Sequence, residues 1–190
     1  MKILYLGPYN KELILFLEKN GHHIYQTEDK VSLATIINKD IDYIISYGYR
    51  HIITKEVLKI MRNKIINLHI SYLPWNRGAD PNLWSFVENT PKGVTIHYID
   101  EGIDTGDIIV QKKVSFSDIE TLETSYKKLH KEMIQLFIDN WDIIKSEDFV
   151  RKRQSINGSY HNAKDKTKLS HLLKNGWETP VSNLKNIIVE

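Results

Sequence analysis

A chain of 190 residues, 41% hydrophobic, 10% aromatic and 26% charged, is long enough to bury one substantial core, and its composition excludes wholesale disorder. Its 26 basic and 24 acidic residues leave a formal charge of only +2, which provides no global field to attract nucleic acid. Cysteine is absent, which excludes disulfides, thiolate catalysis and cysteine-bound zinc, and no apolar run approaches the roughly 20 residues that span a bilayer.

The opening residues turn polar too soon for a signal peptide, so a cytoplasmic location without a membrane partner is expected. The first half of the chain alternates short β-branched runs with helical stretches, the pattern of βαβ units. A first strand over residues 2–6 leads to a helix capped by Asn10, with Leu13, Ile14 and Leu17 on one face and Gly21 at its stop. A short strand over residues 22–26 and a weaker helix from Ser32 follow. The continuous apolar run over residues 42–47 then reads as a central strand buried on both faces.

Thr54 opens another helix, and residues 64–69 form a buried strand that turns polar at Asn67 and His69. Pro74, Gly78 and Pro81 mark a structured loop before a short helix through Leu83, Trp84 and Val87, and two further strands cover residues 93–98 and 107–114. Leu122, Tyr126, Leu129, Met133, Leu136, Phe137, Trp141 and Ile144 recur at the spacing of one helix face. The basic run Arg151-Lys152-Arg153 reads as the solvated exit of that helix. Beyond it the period is lost, and Asn157-Gly158 suggests a tight turn. The predicted fold is therefore α/β, a Rossmann-like, mostly parallel sheet flanked by helices. Residues 1–147 are the catalytic domain and residues 148–190 a small irregular appendage, a hairpin or loop serving substrate binding or dimerisation.

Ligands of open parallel sheets bind outside the carboxyl ends of the strands, where Asn67 and His69 project with the same parity. The loop over residues 100–107 carries two glycines and four carboxylates, among them Asp104, and can bend close to a ligand. An amide, an imidazole and a carboxylate together suit acyl transfer to an amine, in which Asn and His stabilise an oxyanion and the carboxylate supports the His. Taken singly, each residue has a plainer reading. His69 is a satisfied structural histidine, Asn67 ends a strand and Asp104 stabilises a turn. Spacing leaves acyl transfer as one option among several.

The segment Asn67-Leu68-His69-Ile70-Ser71-Tyr72-Leu73-Pro74-Trp75-Asn76-Arg77-Gly78, with Gly93-Val94-Thr95-Ile96-His97-Tyr98 and Asp100-Glu101-Gly102-Ile103-Asp104-Thr105-Gly106-Asp107, resembles the signature of the formyltransferase superfamily. That resemblance implies N10-formyltetrahydrofolate as formyl donor and no metal. It implies that Asn67 orients the formyl group, that His69 acts as an imidazolium on the oxyanion, and that Asp104 holds His69 charged and helps remove the amine proton. It places the reduced folate near Tyr47, Gly48 and Tyr49 and against Asp100, Gly102, Ile103 and Gly106.

Among the family's acceptors, methionyl-tRNA calls for a second domain, and glycinamide ribonucleotide for a glycine-rich turn where this chain has Gly7-Pro8-Tyr9-Asn10. The loop at Trp75, Asn76 and Arg77 and the tail motif Gly158-Ser159-Tyr160-His161-Asn162-Ala163-Lys164-Asp165 instead resemble the nucleotide-sugar branch. The implied acceptor is a nucleotide-linked amino-dideoxy sugar, of the dTDP-4-amino-4,6-dideoxyglucose type, on a route to the O-antigen of lipopolysaccharide. Tyr9, Trp75, Asn76, Arg77, His161 and Lys164 are its expected contacts, and a homodimer is the expected assembly. The other two family acceptors stay open, as do a metal-dependent hydrolase built on His69, His97, Asp100 and Asp104, and a non-catalytic nucleotide-binding module.

Overall fold

The computed structural model describes residues 1–184; the last six residues of the expected appendage lie outside the described residues. In chain order the elements are β1 (Lys2–Leu6), α1 (Lys11–Lys19), β2 (His23–Thr27), α2 (Leu33–Lys39), β3 (Tyr43–Ser46), α3 (Lys55–Ile60) and β4 (Ile65–His69). They continue with β5 (Arg77–Gly78), α4 (Pro81–Val87), β6 (Gly93–Tyr98), β7 (Ile108–Lys113), α5 (Leu122–Ser146) and β8 (Tyr160–His161), and three 3-10 turns close the described chain.

Local signals set the boundaries. Asn10 Oδ1 accepts from the Leu13 N–H at 3.0 Å and starts α1, while Gly21, at φ +78°, lets the chain reverse after it. Thr121 and Thr124 form a reciprocal capping box at the start of α5.

Six strands form the main sheet in the order β2-β1-β3-β4-β6-β7. The first four are mutually parallel, whereas β6 runs antiparallel to β4 and β7 antiparallel to β6. The order reverses between β1 and β3, and there Gly7 and the Tyr47-Gly48 turn leave the sheet side by side. A Cβ at Gly7 would lie 1.9 Å from the Tyr47 carbonyl, so only glycine fits.

Alternating residues of each strand face opposite cores. Ile3, Tyr5, Ile45, Ile66 and Leu68 pack with α1 and the Leu129, Met133, Phe137 and Trp141 face of α5. Leu4, Leu6, Ile44 and Ile65 pack against Ile36 of α2 and Val57 of α3. Both faces of the central strands are thus covered, which is why they read as unbroken apolar runs.

The tail departs from the sequence reading at two points, the first at the basic run, where Arg151 bonds Asn63 and Glu147 and the Lys152 backbone bridges to Ile108 instead of leaving the helix in solvent. No hairpin forms at Asn157-Gly158; the chain runs without regular structure from its bend at Ile156 to β8. Gly158 is instead pressed against Pro74, whose carbonyl oxygen would lie 2.2 Å from an added Cβ, so the glycine answers a close backbone approach. β8 pairs in parallel with β5, and Leu169, Val181 and Leu184 join Leu83, Trp84, Phe86 and Val87 in a third apolar cluster.

Candidate active site

Strand β4 brings Asn67 and His69 to its carboxyl end, and the antiparallel register of β6 sets His97 directly opposite Asn67. The β6–β7 loop returns Asp104 over them in a left-handed conformation, φ +53°, which Asp tolerates better than most residues. One carboxylate oxygen, Oδ1, accepts from Asn67 Nδ2 at 3.1 Å and lies 3.5 Å from His97 Nε2. The other accepts from the Gly78 N–H at 2.9 Å and lies 3.7 Å from His69 Nδ1. Asn67, His69 and Asp104 therefore meet in one cluster.

His69 is 7% exposed and has an acceptor at each ring nitrogen: the Asn76 carbonyl 3.2 Å from Nε2 and Asp104 near Nδ1. A proton on Nε2 meets the Asn76 carbonyl, whereas Asp104 lies beyond hydrogen-bond distance of Nδ1 and acts on the ring through its charge. Burial pushes His69 below the ordinary histidine value, against the pull of Asp104. Burial raises the Asp104 carboxyl in turn, but His69, His97 and the Gly78 N–H outweigh it and hold Asp104 well below the usual carboxylate range. Asp104 is an anion throughout the physiological range.

His97, 1% exposed, donates from Nδ1 to the Tyr98 carbonyl at 2.7 Å and turns Nε2 towards Asn67 and Asp104. Gln154 Nε2 bonds the Asp104 and Gly106 carbonyls, both at 2.8 Å, clamping the loop from the tail. Gln154 did not stand out in the sequence, because its side chain acts on backbone carbonyls about 50 positions away, and Gly78 was legible only as a loop glycine, because its N–H acts on a carboxylate that a separate loop supplies. His97 carried one signal, a histidine inside an otherwise apolar strand.

The remaining expected contacts divide. The Tyr47 ring is buried and its hydroxyl pairs with His130 Nδ1, and the Tyr49 hydroxyl donates to the Asp29 carbonyl, so both rings are held within the protein while Gly48 is open. Asp100, Gly102 and Ile103 are exposed, whereas Gly106 is buried against the Tyr98 carbonyl. The Lys55–Glu101 ion pair, 2.6 Å, ties the β6–β7 loop to the start of α3.

Tyr9 is 64% exposed, and Trp75 is half-buried beside the triad loop. Asn76 is fully buried, bonding Thr90 Oγ1 at 2.8 Å and Ser159 Oγ at 3.1 Å, so its side chain shapes the loop from within. Arg77 donates from Nε to Gln154 Oε1 at 3.1 Å. His161 stacks on Trp84 at 3.8 Å and pairs with Glu88 at 3.0 Å, and Lys164 is exposed at the head of the turn Asp165–Leu169. Among the described residues, no group of three or more histidine and carboxylate side chains is placed to hold a metal ion, and no helix is long and apolar enough to cross a membrane.

An open α/β sheet thus carries a buried amide–imidazole–carboxylate cluster at its carboxyl edge, a set of groups whose chemistry suits acyl transfer without a covalent nucleophile. The formyl transferase family model matches residues 14–140, and the chain belongs to that family. The chain is 49% identical to the formyltransferase PseJ from Anoxybacillus kamchatkensis, solved in complex with UDP-4,6-dideoxy-4-formamido-L-AltNAc and tetrahydrofolate. The match covers 97% of this chain and 98% of that one with a TM-score of 0.94. WlaRD, a sugar 3N-formyl transferase solved in the presence of dTDP and 5-N-formyl-THF, is 26% identical over 87% of this chain and 70% of its own, with a TM-score of 0.72. Methionyl-tRNA formyltransferase of Thermodesulfovibrio yellowstonii is 37% identical over 63% of this chain and 38% of its own length. The chain spans less than half the length of such curated relatives.

Proposed function

We propose that this protein transfers the formyl group of N10-formyltetrahydrofolate to the C4 amine of a UDP-linked 4-amino-4,6-dideoxy sugar. The reading is carried by the 49% identity, over nearly the whole of both chains, to a formyltransferase holding such a 4-formamido product and tetrahydrofolate. That relative favours uridine over the thymidine expected from sequence. On this reading the enzyme acts in the cytoplasm as a homodimer, with residues 1–147 as its catalytic domain and its product destined for surface polysaccharide.

In this mechanism the amine nitrogen attacks the formyl carbon, forming the new C–N bond and an oxyanion. Collapse breaks the bond to N10, and the proton lost by the amine balances the one gained at N10. Asn67 orients the formyl group. His69, beside the Asp104 anion, stabilises the oxyanion as a hydrogen-bond donor whose developing positive charge Asp104 favours, in a site with little water, where such an interaction is stronger than in solvent. A carboxylate held as low as Asp104 is a weak proton acceptor, so its contribution is chiefly electrostatic. The reduced folate lies over Gly48 and the exposed arm of the β6–β7 loop, Asp100, Gly102 and Ile103.

The test is incubation with N10-formyltetrahydrofolate and a panel of UDP- and dTDP-linked amino sugars, glycinamide ribonucleotide and methionyl-tRNA, read by mass spectrometry. A gain of one formyl group is expected on a UDP-linked 4-amino sugar. Formylation of the last two acceptors alone refutes the sugar reading. His69→Ala is expected to lower turnover by about a hundredfold or more, the loss of roughly 3 kcal/mol typical of an oxyanion donor.

A further inference from the structure

The tail builds a second binding surface next to the triad. A cleft opens between the β4–α4 connection, α5 and the tail, and its lining includes Ile70, Asp80, Tyr126, Lys166 and Trp177. Ile70 directly follows His69, and Asp80 lies two residues beyond the Gly78 N–H that holds Asp104, so one wall is continuous with the catalytic loop.

Three features of the cleft fit a planar, hydrogen-bonding ring. First, Tyr126 and Trp177 come from separate elements and meet at 5.0 Å between ring centroids and 62° between planes; 36% and 52% exposed, both leave ring surface to solvent. About half of the Trp177 surface is left open for a ligand to cover. Second, Lys166 Nζ pairs with Asp80 Oδ1 at 2.8 Å, placing a donor and an acceptor side by side at the cleft. A pyrimidine base presents the matching edge, carbonyl oxygens flanking a ring N–H. Third, Asn82, 4% exposed and also lining the cleft, donates from Nδ2 to the Leu122 carbonyl at 3.0 Å, while its Oδ1 has no partner among the described residues. A buried acceptor left so is costly without a ligand to meet it.

We infer that this cleft seats the pyrimidine base of the acceptor nucleotide, stacked on Trp177 and Tyr126 with its polar edge on Lys166 and Asp80. The inference rests on the nucleotide-sugar reading above and assigns the specificity for the nucleotide to the C-terminal segment. With the base anchored there, the sugar amine extends past Ile70 to the triad.

The test measures UDP affinity by calorimetry, and KM for a UDP-linked amino sugar and for formyltetrahydrofolate, in wild type, Trp177→Ala and Trp177→Phe. Trp177 is half exposed, so its truncation leaves the fold intact, which a thermal melt checks. Loss of a stacking ring weakens base binding by roughly ten- to a hundredfold. That loss is expected in UDP affinity and in KM for the UDP-linked sugar, with the folate KM unchanged and most of the loss restored by Phe. UDP affinity in Trp177→Ala equal to wild type overturns the base seat whether or not formyl transfer occurs. UDP binding that requires Trp177, in a wild type that formylates no nucleotide-linked amine, upholds the seat and refutes the proposed reaction. A wild type that binds no UDP refutes both.

Discussion

Replacing Asp104 by Asn removes the charge at the centre of the site while keeping the size of the side chain; the amide oxygen can still accept from the Gly78 N–H, and the one hydrogen bond lost with the charge is that from Asn67 Nδ2. What it removes is a full negative charge 3.7 Å from His69 Nδ1 and 3.5 Å from His97 Nε2. At an effective dielectric of about 20, a unit pair at such separation interacts by about 4 kcal/mol. Burial already disfavours the His69 imidazolium and Asp104 opposes that effect, so in the variant burial acts alone. If the interaction is realised in the transition state, Asp104→Asn lowers kcat by about a thousandfold. Rapid-mixing formyl transfer, quenched and quantified by mass spectrometry, measures the chemical step, and a urea melt verifies folding. A folded variant within about tenfold of the wild-type rate would refute an electrostatic role for Asp104.

Other perturbations test the frame around the triad. Gly78 has φ +85°, and a Cβ there would sit 2.3 Å from the His161 carbonyl, so Gly78→Ala is expected to displace β8 and loosen Asp104; thermal unfolding should fall by an amount worth about 1–3 kcal/mol, with a parallel loss of turnover. Phe137→Ala should destabilise the fold by about 3–5 kcal/mol in urea titration while kcat per folded molecule is retained, because its ring lies in the α5 core away from the cluster. His130 is pushed down to about 4 by burial, so the unfolded chain, titrating near 6.5, binds the proton first. Stability from this group is full above about 6.5 and is lost as pH falls towards 4; an NMR titration of the ring that gives a midpoint near 6.5 would refute the assignment.

How much of this was legible beforehand depends on the range of the interactions involved. Strands β1 to β4, helices α1 and α5 and the parity of Asn67 and His69 follow from local pattern: central strands covered on both faces must be apolar throughout, and a long helix on one core must repeat its apolar residues every three to four positions. Caps at Asn10 and Thr121 act within one turn and are equally local. The acyl-transfer motif resolved into a family because its residues are close in sequence.

Register and tail placement lie beyond such pattern. That β6 runs antiparallel to β4, setting His97 against Asn67, depends on pairing energies between separate segments. Two-residue strands such as β5 and β8 have no period to display, and their pairing joins residues more than 80 positions apart. The glycine of Asn157-Gly158 signals a turn when read alone, yet it is required by the Pro74 carbonyl pressed against it. Amino-acid order by itself thus determined the layers and the strand ends, since those depend on local geometry, while the family resemblance rather than spacing singled out Asn67, His69 and Asp104. Only the tertiary structure decided which partners set the charge of that trio, and that the irregular tail closes the cleft beside it, because both arise from contacts whose sequence separation leaves no periodic trace.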